Sequence, residues 1–207
     1  MRLRLKVDDR MTAQAGDTIE LKRALRRDLR RRRAGIAAVL RHRAARRAAV
    51  ALMRTRDWQS ALHVGLYLAC GSELSTAPLI ERALRQHKRL YLPRIGPGGQ
   101  MHFVGWRPGA GLRTNRHGID EPFGTYRRPW RRLDLIIVPL VGFDRSGYRL
   151  GAGGGYYDRL FAQRSVARPK CLGWAFALQE IPAVPRDPWD RRLDGIVTER
   201  GIRWPTG

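Results

Sequence analysis

Acidic side chains are scarce in this chain: 18 aspartates and glutamates stand against 41 lysines and arginines, leaving a formal net charge of +23. Lysine is scarcer still, at four residues, so the positive charge is almost all arginine. A chain this basic raises nucleic acid as a partner. The arginines, however, run through the whole length, and no RNA- or DNA-binding motif accompanies them. Most of the charge therefore reads as compositional bias, with Arg31-Arg32-Arg33 on a solvated helix face. Cysteine is nearly absent. Cys70 and Cys171 form no metal-ligand or redox spacing, and both are expected as reduced core or near-core thiols of a cytoplasmic protein. No apolar run approaches the roughly eighteen residues of a membrane span. Residues 1–16 lack the continuous apolar core of a secretory signal. His42, His63, His87, His102 and His117 are scattered, without the spacing of a metal site or a Ser/His/Asp triad. No internal repeat and no low-complexity linker divides the chain. The expectation is one domain over residues 17–207, preceded by a poorly ordered basic extension over residues 1–16.

Glycine, by contrast, is concentrated where it costs most. The apolar run Leu135-Ile136-Ile137-Val138, bounded by Pro139, predicts a buried strand. A polar loop follows, then Gly151-Ala152-Gly153-Gly154-Gly155 and, at the head of a helical segment running to about Arg164, Tyr156-Tyr157-Asp158. Each glycine costs roughly 0.5–1 kcal/mol of chain entropy relative to alanine. Four together cost a few kcal/mol, a large share of a typical folding free energy. Such a run is kept where backbone approaches something closely or adopts positive φ. A strand, a glycine loop and a helix start together form an anion cradle. A flexible linker or an empty tight turn is the competing reading. Arg149 and Asp158 favour the cradle, because they bracket the run with a cation for phosphate and a carboxylate for Mg2+.

Around this centre, Asp17-Thr18-Ile19-Glu20 has the form of a capping box opening a helix. Leu21, Leu25, Leu29 and Ile36 follow at helical spacing, with Gly35 a break. A second helix reaches about Arg54. Residues 62–68 are strand-like, Ser75-Thr76-Ala77-Pro78 opens a helix to about His87, and residues 89–92 form a strand ended by Pro93. Residues 101–106 make a further strand, and residues 107–132 are loop-rich. After the glycine loop come strands at 170–176, 195–198 and 201–204. Strands alternating with helices predict a single α/β domain, its largely parallel sheet flanked by helices. In such sheets ligands collect beyond the carboxyl ends of the strands.

FDRSGYRLGAGGGYYDR, Phe143 to Arg159, resembles the signature of the 5-formyltetrahydrofolate cyclo-ligase family, also called 5,10-methenyltetrahydrofolate synthetases. Further segments match in order. Lys22-Arg23-Ala24-Leu25-Arg26 is similar to the family's KxxLR helix start, Glu73-Leu74-Ser75-Thr76 to its ExxT, and Leu92-Pro93-Arg94 to its LPR. Trp106 with Gly118-Ile119-Asp120-Glu121-Pro122 resembles W…GIxEP. Gly173-Trp174-Ala175-Phe176 and the run from Asp190 to Glu199 resemble GxAF and DxxLDxIxTE. The resemblance implies a NagB/RpiA-like three-layer architecture. It implies an ATP- and Mg2+-dependent monomer, without membrane or specific nucleic-acid partners, that closes 5-formyltetrahydrofolate to 5,10-methenyltetrahydrofolate.

Carried over residue by residue, it implies ATP contacts at Lys22, Arg23, Ala24, Leu25 and Arg26. The triphosphate would be wrapped by Arg149, Leu150, Gly151, Ala152, Gly153, Gly154, Gly155, Tyr156 and Tyr157, with Arg149 and Tyr156 as catalytic residues. Folate would meet Leu68, Glu73, Trp106, residues 152–155 and Tyr156. The metal would sit on Asp158 first and Asp190 second. Each has a structural alternative. Lys22 and Arg26 also read as solvated cations, Asp158 as a helix-start dipole partner, and Asp190 as a turn residue after Pro188. Glu73 also reads as a helix cap, Leu68 as core, Tyr156 as packing, and Trp106 as core or rim. Ala152 and Gly154 stand where some family members carry Arg or Lys, so backbone donors and Arg149 must do more. Residues 177–180 lack the acidic residue often seen after AF, which weakens a role for that loop. Two other classes stay open: a nucleotide-binding relative acting on another small substrate, and an Arg-rich nucleic-acid binder whose affinity collapses with salt.

Overall fold

The computed structural model describes residues 2–115, 118–162, 168–187 and 190–205, with side chains described from residue 18 onward. Helices α1 (Arg2–Ala34), α2 (Ala38–Met53) and α3 (Arg56–Ser60) precede strand β1 (His63–Gly65). Helix α4 (Ala77–Arg85) leads to β2 (Arg89–Ile95), β3 (Met101–Trp106), β4 (Leu112–Thr114), β5 (Asp120–Pro122) and β6 (Arg127–Arg128). Strand β7 (Leu135–Pro139) is followed by a short hairpin of β8 (Gly142–Phe143) and β9 (Arg149–Leu150). Helix α5 (Tyr156–Ala162), β10 (Lys170–Trp174), β11 (Gly195–Thr198) and β12 (Gly201–Arg203) complete the order.

The unbroken apolar run of β7 is explained by its place. It lies between β1 and β10 in the middle of an eight-stranded sheet ordered β12-β11-β10-β7-β1-β2-β3-β6. Leu135 and Ile137 enter one core with α2, α3 and α4, while Ile136 and Val138 enter the other with Leu160 and Phe161 of α5. A strand buried on both faces has no polar face to show, so period-2 alternation vanishes. The five strands from β11 to β2 pair in parallel; β12 and the β3–β6 side pair antiparallel. The α/β architecture with a mostly parallel sheet flanked by helices is as expected. Among the described residues, no helix is long and apolar enough to cross a membrane.

Four local expectations change. Helix α1 runs through the Asp17–Glu20 segment instead of starting there; helix-forming residues on both sides carry the helix across it. Strand β2 continues past Pro93, which pairs with Phe103 of β3. Pro93 shares the edge of Tyr91 that faces β1, and β1 has already ended opposite Tyr91, so no ladder bond needs the missing N–H. Arg31 and Arg32 are solvated, but Arg33 is only 8% exposed, with Nε donating to Ser72 Oγ at 3.1 Å. Cys171 is buried as expected, whereas Cys70 is exposed in the turn after β1. The helical segment expected to reach Arg164 is described to Ala162, and residues 163–167 lie outside the described residues.

Helix α1 docks on the β8–β9 hairpin. Leu25 and Leu29 pack with Val141, Leu150, Ile181 and Val184. A Cβ at Gly142 would come within 2.6 Å of Leu29 Cδ1, so glycine sets how closely helix and hairpin approach. That contact brings the basic face of α1 over the loop that follows β9.

Candidate active site

From β1 the chain moves to β2 on one side; from β7 it moves to β10 on the other. The boundary between β1 and β7 is thus a point where connections diverge and leave a crevice at the strands' carboxyl ends. A cleft of about 180 Å3 opens there. It is walled by Tyr67 and Leu68 beyond β1, Pro139 to Val141 at the end of β7, and Ile95 at the end of β2. Gln179 shapes this floor: its Nε2 donates to the carbonyls of Leu140 (3.0 Å) and Val141 (2.9 Å), and its Oε1 accepts from Phe176 N. The loop expected to have a weakened role is therefore a brace under the cleft.

The glycine loop forms the opposite wall, with Gly151, Ala152, Gly153, Gly154, Gly155, Tyr156, Tyr157 and Asp158 all on the cleft. Gly153 (φ 113°) and Gly155 (φ 66°) occupy backbone conformations that side chains disfavour. The carbonyls of the loop are held from outside by three arginines. Arg26 Nε donates to Gly151 O at 2.9 Å, Arg159 to Gly154 O at 3.1 Å, and Arg30 to Ala152 O at 3.3 Å. Among the described residues, the amides of Gly153, Gly154 and Gly155 donate no hydrogen bond. Arg149, almost fully buried and stacked over Phe161 (5.0 Å to the ring centre), pairs with Asp158 Oδ1. The loop thus presents unspent N–H donors ringed by positive charge, which suits a polyanion.

Glu73 stands at the other end. Its segment is pinned by the Trp174 indole, which donates to Leu74 O (3.1 Å), and by Thr76 Oγ1, which donates to Tyr67 O (2.8 Å). Glu73 Oε2 accepts from Cys70 N at 3.0 Å, so it caps no helix: α4 begins after Thr76 without a side-chain cap. Burial holds the Glu73 carboxyl above its ordinary range, against the opposing pull of the Cys70 amide and the Arg33 guanidinium. A half-buried carboxylate in an apolar cleft is suited to accept from N–H groups of a flat heterocycle.

Of the residues singled out in the sequence, Leu68, Glu73, Arg149 and residues 151–158 share the cleft. Leu150 lies beneath it in the core with Leu25. Lys22 and Asp190 meet each other beside it: Lys22 Nζ is 2.5 Å from Asp187 Oδ2 and 3.5 Å from Asp190 Oδ2, which also accepts from Asp187 N. Arg23 and Ala24 face outward, Arg23 pairing with Glu20. Trp106 does not line the cleft. Strand β3 is antiparallel to β2, pairing Met101 with Ile95 and Trp106 with Leu90, so Met101 reaches the cleft and Trp106 sits at the far end. Sequence reading passed over Tyr67, Asn115, Arg30 and Arg159. Glu121 was visible only as part of GIxEP; it is buried, accepts from Ile95 N (3.0 Å) and Asn115 Nδ2 (2.8 Å), and ties the β4–β5 hairpin to the cleft rim.

A nucleotide-bound Mg2+ needs only one or two carboxylates, since phosphate oxygens and water complete its shell. Asp158 fits that requirement: it lines the cleft beside the loop amides, and Arg149 engages its Oδ1. Among the described residues no group of three or more His, Cys, Asp or Glu gathers to cage a metal alone.

The sequence model of the 5-formyltetrahydrofolate cyclo-ligase family matches residues 18–199. The chain is 40% identical to the 5-formyltetrahydrofolate cyclo-ligase of Escherichia coli over 139 residues, covering 65% of this chain and 76% of that protein. It is 30% identical to the Haemophilus influenzae protein of the same name, over 84% of this chain and 95% of that one. The structure superposes on Aquifex aeolicus 5,10-methenyltetrahydrofolate synthetase with a TM-score of 0.79 and 31% identity, over 90% of this chain and 94% of the other.

Proposed function

The chain belongs to the 5-formyltetrahydrofolate cyclo-ligase family, and from that premise we propose that it converts 5-formyltetrahydrofolate to 5,10-methenyltetrahydrofolate, with ATP giving ADP and phosphate. The formyl oxygen attacks the γ-phosphorus and ADP leaves. N10 then attacks the activated carbon and gives up its proton, and phosphate departs with the former formyl oxygen. Such chemistry asks little acid–base work of the protein. It asks for alignment of two substrates and neutralisation of moving charge.

The chain's residues divide along that demand. Amides of Gly153 to Gly155 bind phosphate oxygens, Arg149 offsets charge as it shifts toward ADP, and Arg26 and Arg159 hold the loop in its donor conformation. Mg2+ held by Asp158 would supply charge neutralisation at the phosphates. Glu73 takes the N–H edge of the pterin, and Leu68 lies against its face. Tyr156 flanks the folate side of the loop. Lys22, fixed between Asp187 and Asp190, steadies the α1 side of the nucleotide site.

One observation supports this reading: unspent loop amides, the half-buried Glu73 carboxylate and Arg149 share a single cleft. The test is direct. Protein mixed with 5-formyltetrahydrofolate, ATP and Mg2+ should produce the methenyl chromophore, and omission of ATP should abolish it. A flat absorbance trace with all components present would overturn the activity.

A further inference from the structure

Two buried polar side-chain atoms among the described residues have no hydrogen-bond partner: Trp106 Nε1 and the hydroxyl of Tyr157. Trp106 lies off the cleft, whereas Tyr157 lines it. A buried hydroxyl left unpaired is costly in folding, so one on a residue that lines a ligand cleft calls for a ligand atom to complete it. The ring itself is fixed, packed against the core of α5 with its centre 5.9 Å from that of Phe161.

We propose that the Tyr157 hydroxyl donates a hydrogen bond to an oxygen of 5-formyltetrahydrofolate on the formyl-bearing edge of the pterin. The proposal rests on the cyclo-ligase reading. It also moves the tyrosine's side chain from the nucleotide's share of the cleft to the folate's. Tyr157 feels both Glu73, at the pterin end, and Arg149, at the phosphate end, with Tyr67 also close enough to interact. A group set between those ends meets the part of the folate that faces the transferred phosphoryl group. Burial raises the hydroxyl's pKa well above the ordinary tyrosine value, and the Arg149 cation only partly opposes this, so it stays a neutral donor. A donor there fixes the direction in which the formyl oxygen presents itself, while a phenyl ring of the same shape fills the space without holding it.

Tyr157→Phe tests this in the full-length protein, since it deletes one oxygen that has no partner to lose. Three measurements are read together: thermal unfolding, equilibrium binding of 5-formyltetrahydrofolate without ATP, and KM for each substrate. Expected are an unfolding temperature equal to or above wild type, a folate affinity about 5- to 10-fold weaker, and an ATP KM within about twofold. Folate affinity equal to wild type overturns the proposal, as does a larger rise in the ATP KM than in the folate KM. A lowered unfolding temperature with equal losses for both substrates also overturns it, because the hydroxyl would then be structural. Wild-type protein that binds no folate overturns the cyclo-ligase reading together with this one; wild type that binds folate no better than Tyr157→Phe overturns this one alone.

Discussion

Arg149 and Asp158, nine residues apart, form an ion pair that closes the base of the glycine loop. The two partners differ in exposure, the arginine side chain at 3% and the aspartate at 29%. Loss of either is therefore not equivalent.

Asp158→Ala leaves a buried guanidinium unpaired and should cost about 3 kcal/mol of stability. Arg149→Met leaves a carboxylate that water can reach and should cost about 1 kcal/mol. Urea unfolding of both variants checks this, and equal losses would contradict the asymmetry. Methenyl formation should fall at least about 100-fold in each; retention of turnover in both would show that the pair lies outside the reaction.

Gly151 and Gly153 separate backbone strain from ligand approach. A Cβ at Gly151 meets nothing within 4 Å, and its φ is ordinary, so Gly151→Ala should leave the unfolding temperature unchanged. Gly153 sits at φ 113°, where alanine is strained by about 1–3 kcal/mol. If the nucleotide lies against the loop, Gly151→Ala should still raise the ATP KM several-fold. Calorimetry and steady-state kinetics decide it; an unchanged KM places the phosphates elsewhere.

Glu73 should give folate binding a pH dependence. Its folded-state pKa is raised by burial, so its contribution to stability is present below the unfolded value near 4.5 and lost as pH rises through the folded value. Binding runs the other way, because accepting pterin N–H groups requires the ionised form. Affinity should weaken by up to about tenfold per pH unit once pH falls below the raised pKa. Glu73→Gln should flatten that slope in equilibrium binding between pH 5 and 8. A slope unchanged in the variant assigns the titration to another group.

Lys22 is held by Asp187 at 2.5 Å and Asp190 at 3.5 Å. With Asp190 Oδ2 spent on Lys22 and on the Asp187 amide, Asp190 is expected to act through the lysine. Lys22→Met and Asp190→Ala should each raise the ATP KM about tenfold, with similar Mg2+ dependence of nucleotide binding. Asp158→Ala should shift that Mg2+ dependence about tenfold or more. A comparable shift in Asp190→Ala would return Asp190 to the metal.

Much of the site was legible because it is carried by short contiguous segments. Gly151 to Asp158 reads the same at any orientation: glycines mark the backbone conformation, and Arg149 and Asp158 mark the charged groups that flank it. Glu73 was legible through its motif, although its bond to the Cys70 amide was not. Trp106 illustrates the limit. Its motif placed it near the site, but an antiparallel pairing, which no local pattern encodes, put Met101 there instead. Arg33 went the other way, from a run of solvated arginines into the protein, because the turn of α1 over the Ser72–Glu73 segment is a long-range contact.

The chain alone determined the alternation of strands and helices, the largely parallel sheet, and the glycine-rich run that follows its central strand; these depend on local backbone preference and on the apolar pattern. Tertiary structure decided which distant groups share the cleft. It divided the sheet's connections between β1 and β7, laid α1 across the β8–β9 hairpin, and left the Tyr157 hydroxyl without a partner among the described residues. Those outcomes follow from packing of surfaces far apart in sequence, and packing depends on shapes that exist only once the core has formed.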